Sequence, residues 1–167
     1  MLRIVRAKEN EVNKMLFFYH QLIERIDQDL NDRNLFPSDK HIQKAIEEGN
    51  LYIGEVSNRI VSMMILTHFD HRNYLELSFE LPENPTSVMY CMAVDAKYTG
   101  YGIANQMISY AIDCSRIQGS QFLRLDVLKE HVKSPLVYEN LGFEYAGEGL
   151  ILRNDKKHPF VSYLCSL

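Results

Sequence analysis

Ala93-Val94-Asp95-Ala96-Lys97-Tyr98-Thr99-Gly100-Tyr101-Gly102-Ile103-Ala104 carries an apolar strand into a glycine turn that opens directly into an amphipathic helix. The first N–H groups of a helix have no intrahelical acceptor and sit at the positive end of its dipole. Such a junction holds an anion, and glycines just before it let phosphate oxygens approach bare backbone. A diphosphate-bearing ligand is therefore the leading expectation for this turn.

Three ligand classes use a turn of this kind, and the neighbouring residues separate them. A P-loop needs Lys and then Ser/Thr after its last glycine, but Gly102 is followed by Ile103 and Ala104, leaving no lysine for the β/γ-phosphates. A dinucleotide fingerprint needs a third small residue where this chain has Asn105. Asp126 does lie roughly twenty residues further on, where a ribose-binding acid is expected, yet too little chain follows it for the further βα units. A nicotinamide-dependent oxidoreductase thus rests only on Gly100, Gly102 and Asp126. The third class fits better. Thr99-Gly100-Tyr101-Gly102-Ile103-Ala104, after Val94-Asp95-Ala96, resembles the acetyl-CoA motif R/Q-x-x-G-x-G/A of the GNAT superfamily of N-acetyltransferases. Thr99 stands where Arg or Gln is usual, and Ala96 where Pro is usual.

A second motif lies downstream in the order the family uses. After the strand 122–127, Leu136-Val137-Tyr138-Glu139-Asn140-Leu141-Gly142-Phe143 parallels the family's Asn-x-x-Ala-x-x-Leu-Tyr-x-x-x-Gly-Phe at Tyr138, Gly142 and Phe143, with His131 and Ser134 at the Asn and Ala positions. The order of elements extends the resemblance over nearly the whole chain. It implies one acetyltransferase domain over 1–167, built on a mixed α/β sheet of about seven strands with helices on both faces and a splayed parallel pair. It also implies acetyl-CoA as cosubstrate, with pantetheine along Met92 and Val94. The diphosphate would rest on Thr99, Gly100, Tyr101, Gly102, Ile103, Ala104 and Asn105, with His131 as a further contact. A primary amine of a small molecule or protein would attack the thioester directly, and Tyr138 would supply a proton or a hydrogen bond to the departing thiolate. A CoA-binding sensor or interaction module without catalysis is the alternative that Thr99, Ala96 and His131 keep open.

Hydropathy patterning outlines the remaining elements. Residues 2–6 read as a strand, and Val12, Met15, Leu16, Tyr19, Leu22, Ile23 and Ile26 recur at helical spacing. A polar stretch follows over 27–34. Ser38 then caps a second helix with Ile42, Ala45 and Ile46 inward and Gly49 at its end. Runs 51–56 and 60–67 flank Ser57-Asn58-Arg59 as a hairpin. Residues 68–87 read as a long connection in which 74–79 can extend a strand, and 88–94 is an apolar strand. Ala104, Met107, Ile108 and Ala111 form the inner face of the next helix, which Gly119 closes. Beyond the strand 122–127, Ser134 and Pro135 start a short helix ending at Gly142. Runs 143–147 and 160–165 form a terminal antiparallel pair.

The chain has 167 residues and a net charge of −4, with no basic stripe interleaved with aromatics, so nucleic acid is a poor partner. No apolar run is long enough to span a bilayer and residues 1–6 read as a strand, so a soluble cytoplasmic protein without a membrane partner is expected. Dimerisation through a sheet edge or the C-terminal strands stays open. Cys91, Cys114 and Cys165, odd in number and set in apolar contexts, read as buried thiols. For the base that deprotonates the amine, Glu76, Glu80, His68, His71 and Tyr90 are all open. His68-Phe69-Asp70-His71 lacks a third placed ligand, so no metal is expected. Glu24, Asp27, Asp29 and Asp32 read as a solvated face near the substrate entrance.

Overall fold

The computed structural model describes residues 1–30, 36–68, 74–131, 138–153 and 155–167, and the side chains of these apart from 26–30, 74, 131 and 153. The elements are β1 Arg3–Arg6, α1 Val12–Leu30, α2 Asp39–Glu47, β2 Leu51–Val56, β3 Arg59–Thr67, β4 Tyr74–Leu77, β5 Thr86–Val94, α3 Ile103–Ile117, β6 Phe122–Leu128, β7 Glu144–Arg153 and β8 Lys156–Ser166. Among the described residues eight strands, against about seven expected from sequence, follow the hydrogen-bonded order β1-β2-β3-β5-β6-β8-β7-β4. The chain divides into two units. One comprises Met1–Ile65 and Cys91–Met107, the other Leu66–Tyr90 and Ile108–Leu167.

In the first unit β1, β2 and β3 are antiparallel neighbours, with Arg6 opposite Tyr52 and Leu51 opposite Ile65. The hairpin turn is Ser57-Asn58, at φ 49° and 62°, the pair of positive values a type I′ turn requires. Arg59 already pairs with Val56, so it belongs to β3 and not to the turn. Ser38 Oγ accepts from the His41 N–H at 3.3 Å and caps α2, whose buried residues are Ile42, Ala45 and Ile46. Tyr19 OH donates to the Pro37 carbonyl at 2.6 Å, and His20 Nε2 meets Asp39 Oδ1 at 2.8 Å, joining α1 to the start of α2. Helix α1 runs on to Leu30, so the polar stretch from Asp27 begins inside it.

Adjacent residues of β2 point to opposite faces, and here the two faces carry different helices. Glu55 pairs with Lys14 of α1 at 3.6 Å. A Cβ on Gly54 would lie 3.2 Å from Met107 Sδ of α3. Helices thus cover both faces of this part of the sheet.

In the second unit β6 lies between β5 and β8. It runs parallel to β5 from Thr86↔Phe122 to Met89↔Leu125, and antiparallel to β8 from Phe122↔Ser166 to Leu128↔Phe160. Helix α3 makes the crossover between the parallel strands. Strands β7 and β8 pair from Glu144↔Leu164 to Arg153↔Lys156, far beyond the short runs expected. Pro159 interrupts the hydrophobic signal but fits the strand. It lies past the last β6 pair, where the missing N–H removes no β6 bond. Strand β4 adds to the outer side of β7 through Tyr74↔Ile151 and Leu77↔Gly149, which gives the ambiguous run 74–79 its place. Because β8 is flanked by β6 and β7, it offers no free edge.

Candidate active site

Strand β5 is buried over Ser87–Tyr90 and half-exposed over Cys91–Val94. The change coincides with Cys91, whose φ of 52° breaks the extended backbone. Asp95 ends the strand. Its N–H donates to the Val61 carbonyl of β3 at 2.8 Å, and its Oδ1 accepts from the Lys97 N–H at 3.1 Å, capping the 3₁₀ turn Ala96–Tyr98. Thr99 is extended, Gly100 and Gly102 take φ of 87° and 72°, and α3 begins at Ile103. Buried Ile103 and Met107 anchor that first helical turn, while Thr99, Gly100, Tyr101, Gly102 and Asn105 are exposed.

The backbone donors of this turn are ready for a ligand. Among the described residues, no main-chain acceptor is recorded for the N–H groups of Gly100, Gly102, Ile103, Ala104 or Asn105; the ladder of α3 starts with Gln106 N–H to the Gly102 carbonyl at 3.1 Å. A Cβ built on Gly100 or Gly102 meets nothing within 4 Å. Protein crowding therefore does not demand glycine there. The left-handed backbone does, and the bare surface lets an anion come close.

Tyr138 belongs to the second unit, and the Tyr-x-x-x-Gly-Phe spacing has a local explanation. The Phe143 N–H donates to the Tyr138 carbonyl at 3.1 Å and the Gly142 N–H to the Glu139 carbonyl at 3.0 Å, with Gly142 at φ 86°. This is a Schellman closure, in which the left-handed residue is glycine and an apolar residue follows it. The Tyr138 ring lies 5.0 Å from that of Tyr163, tilted by 43°. Burial, with a smaller contribution from the Tyr163 phenol, pushes the Tyr138 hydroxyl above the ordinary tyrosine range. It stays protonated at neutral pH and is available as a donor.

The acetyltransferase (GNAT) family model matches residues 18–143. The chain belongs to this GNAT family. Membership makes it an N-acetyltransferase. Solved structures share its fold at low identity. A GNAT-family acetyltransferase from Listeria monocytogenes 4b F2365 is 19% identical over 99% of this chain and 95% of that one, with a TM-score of 0.78. The ribosomal-protein-alanine N-acetyltransferase of Brucella melitensis is 15% identical over 99% of both chains, with a TM-score of 0.68. An IAA acetyltransferase from Bacillus cereus ATCC 14579 is 15% identical over the full length of both chains, with a TM-score of 0.65. Among curated proteins no significant sequence match is found.

Several residues of this GNAT chain have local commitments. Asp126, the acid on which a dinucleotide site would depend, is buried beside Arg124 at 3.2 Å and accepts from Ser162 Oγ at 2.6 Å. It is held inside the second unit. His68 Nδ1 meets Ser87 Oγ at 2.9 Å, and that oxygen meets Ser120 Oγ at 2.7 Å. Glu76 and Glu80 are exposed, and Tyr90 is buried. His71, Asp32, Ser134, Pro135 and the His131 side chain lie outside the described residues, as do the Asp27 and Asp29 side chains; Glu24 is exposed. Among the described residues no cluster of His, Cys, Asp or Glu could hold a metal, and no helix is long and apolar enough to cross a membrane. All three cysteines are free thiols; Cys165 is buried as expected, whereas Cys91 and Cys114 are half-buried.

Sequence reasoning missed the partners of these residues. Arg25 Nη1 stands 2.6 Å from Asp95 Oδ1 across 70 positions, a pairing that no local pattern announces. Tyr163 also went unmarked, because it reads as one more alternating residue of a β-strand.

Proposed function

We propose that this chain transfers an acetyl group from acetyl-CoA to a primary amine of a small molecule or protein, by direct attack of the amine on the thioester. We further propose that residues 1–167 act as one acetyltransferase domain, in keeping with β3, β5 and α3, each of which contributes to both units. The observation that carries the cofactor assignment is that, among the described residues, the N–H groups of Gly100, Gly102, Ile103, Ala104 and Asn105 have no main-chain acceptor, around two exposed and uncrowded glycines, while the Tyr101 N–H between them donates to the Tyr98 carbonyl at 3.4 Å. Five such donors at a helix start suit a diphosphate, and the residues therefore fit CoA.

Each group has an assigned task. Gly100, Gly102, Ile103, Ala104 and Asn105 bind the diphosphate through main-chain donors, with Thr99 and Tyr101 flanking it. Met92 and Val94, on the half-exposed end of β5, hold the pantetheine arm by its amides, and His131 is a further CoA contact. A main-chain N–H of β5 polarises the thioester carbonyl as the amine nitrogen forms its bond to carbon. As the C–S bond breaks, the Tyr138 hydroxyl gives its proton to the sulfur, and the phenolate regains a proton through solvent from the nitrogen of the new amide, which must shed one. A tyrosine titrates at ~10 in water, so a Tyr138 held still higher enters the step protonated.

A thiol-release assay with acetyl-CoA over a panel of small amines and peptide amino groups tests this assignment. Acceptor-dependent release of CoA is expected. Tight binding of acetyl-CoA with no acceptor turning over would favour a binding module instead.

A further inference from the structure

Asp95 joins three elements of the first unit. Its carboxylate caps the 3₁₀ turn Ala96–Tyr98 through Lys97 N–H, its main chain is tied to Val61 of β3 and to the Tyr98 N–H, each at 2.8 Å, and its Oδ1 meets Arg25 of α1 at 2.6 Å. The carboxylate is largely buried, with 18% of the side chain exposed, whereas the guanidinium is 42% exposed. An acid held there has an electrostatic cost. It places a negative charge a few residues before a turn proposed to bind a diphosphate, and like charges oppose one another.

We propose that Arg25 is a positioning residue for the cofactor turn: it holds the Asp95 carboxylate in its capping pose and neutralises its charge, so that the donors from Gly100 to Asn105 present a field favourable to an anion. This assignment rests on the function proposed above. Arg25 acts through Asp95 and does not itself touch the phosphates. A charge role and a purely structural one differ in what rescues the loss. Asparagine keeps an oxygen that can accept from Lys97 N–H, since Asn and Asp are equally good caps, but it carries no charge to be neutralised.

The test measures acetyl-CoA affinity by calorimetry in the wild type, Arg25→Gln, Asp95→Asn and the double variant, together with hydrogen–deuterium exchange of amides 97–105 in the free protein. Arg25→Gln is expected to weaken binding by about threefold to fivefold at low salt, the scale of a part-exposed pair, and by less at high salt. Exchange over 97–105 should accelerate, and the KM for acetyl-CoA should rise while kcat is kept. Adding Asp95→Asn to Arg25→Gln should restore affinity to within about twofold of the wild type, because no unpaired charge remains. Wild-type affinity and unchanged exchange in Arg25→Gln would overturn the assignment, as would a double variant no better than Arg25→Gln. If the wild type bound no acetyl-CoA, the proposed function would fall, and the exchange measurement alone would decide whether Arg25 holds the turn.

Discussion

A methyl group built on Gly100 or Gly102, in the turn before α3, meets no atom within 4 Å, whereas one built on Gly149 of β7 falls 2.6 Å from the Glu76 carbonyl and 2.7 Å from the Phe160 ring. Gly147 is crowded too, with Phe79 Cδ1 at 2.7 Å. In β7 glycine is a packing device that lets β4 and the Phe160 ring close in. In the turn it gives a left-handed backbone and an open surface. The two regions also differ in the role proposed for each: main-chain donors in the turn, and a side chain, Tyr138, packed against Tyr163, in the second unit. Stability should therefore be sensitive at β7, and ligand affinity at the turn.

The largest effect is expected at the packed side chain. Tyr138→Phe keeps the ring against Tyr163 but removes the proton donor, so kcat should fall by about 10²–10⁴ with acetyl-CoA affinity little changed. Steady-state kinetics beside calorimetry check this, and unchanged turnover would remove the role. The same hydroxyl sets a pH limit. Its folded-state pKa lies above the ordinary value of 10.0, so the fold retains the proton more strongly than the unfolded chain does. That contribution to stability is complete below pH 10.0 and is lost as pH rises through the folded value. Activity should show no Tyr138-dependent step near neutrality.

Next comes Gly149→Ala, which forces backbone and an aromatic ring apart and should cost about 1–3 kcal/mol in chemical denaturation. Gly102→Ala should reverse the pattern, losing about tenfold in acetyl-CoA affinity with only about 1 kcal/mol of stability, the strain of a non-glycine residue at positive φ. If Gly102→Ala unfolded the protein while Gly149→Ala were neutral, the contrast between the two regions would be inverted. The smallest effect is at Thr99. Thr99→Arg adds a charged donor beside the exposed turn and should tighten acetyl-CoA binding by about threefold, a modest gain for a solvated charge.

Local chemistry was legible in the sequence, and long-range pairing was not. The Ser38 cap, the left-handed Asn58, the turn from Thr99 to Ala104 and the Gly142 closure each depend on a few consecutive residues, and all stand where the pattern put them. Strands β7 and β8 were underestimated because Gly147, Gly149, Lys156, Lys157 and Pro159 dilute the alternation that marks a strand. Their pairing supplies what propensity lacks. In α1 the periodicity gave the correct face but missed Phe18, which is buried, while adjacent Phe17 is 66% exposed. The Arg25–Asp95 pair was invisible because neither residue has a distinguishing neighbour, and only the fold brings them together.

The central claim is that main-chain donors of the turn hold the acetyl-CoA diphosphate. Titrating acetyl-CoA into ¹⁵N-labelled protein and following amide chemical shifts tests it directly. The account predicts saturable changes that are largest at Gly100, Gly102, Ile103, Ala104 and Asn105. Saturable binding that left these amides unmoved, or no binding at all, would contradict it.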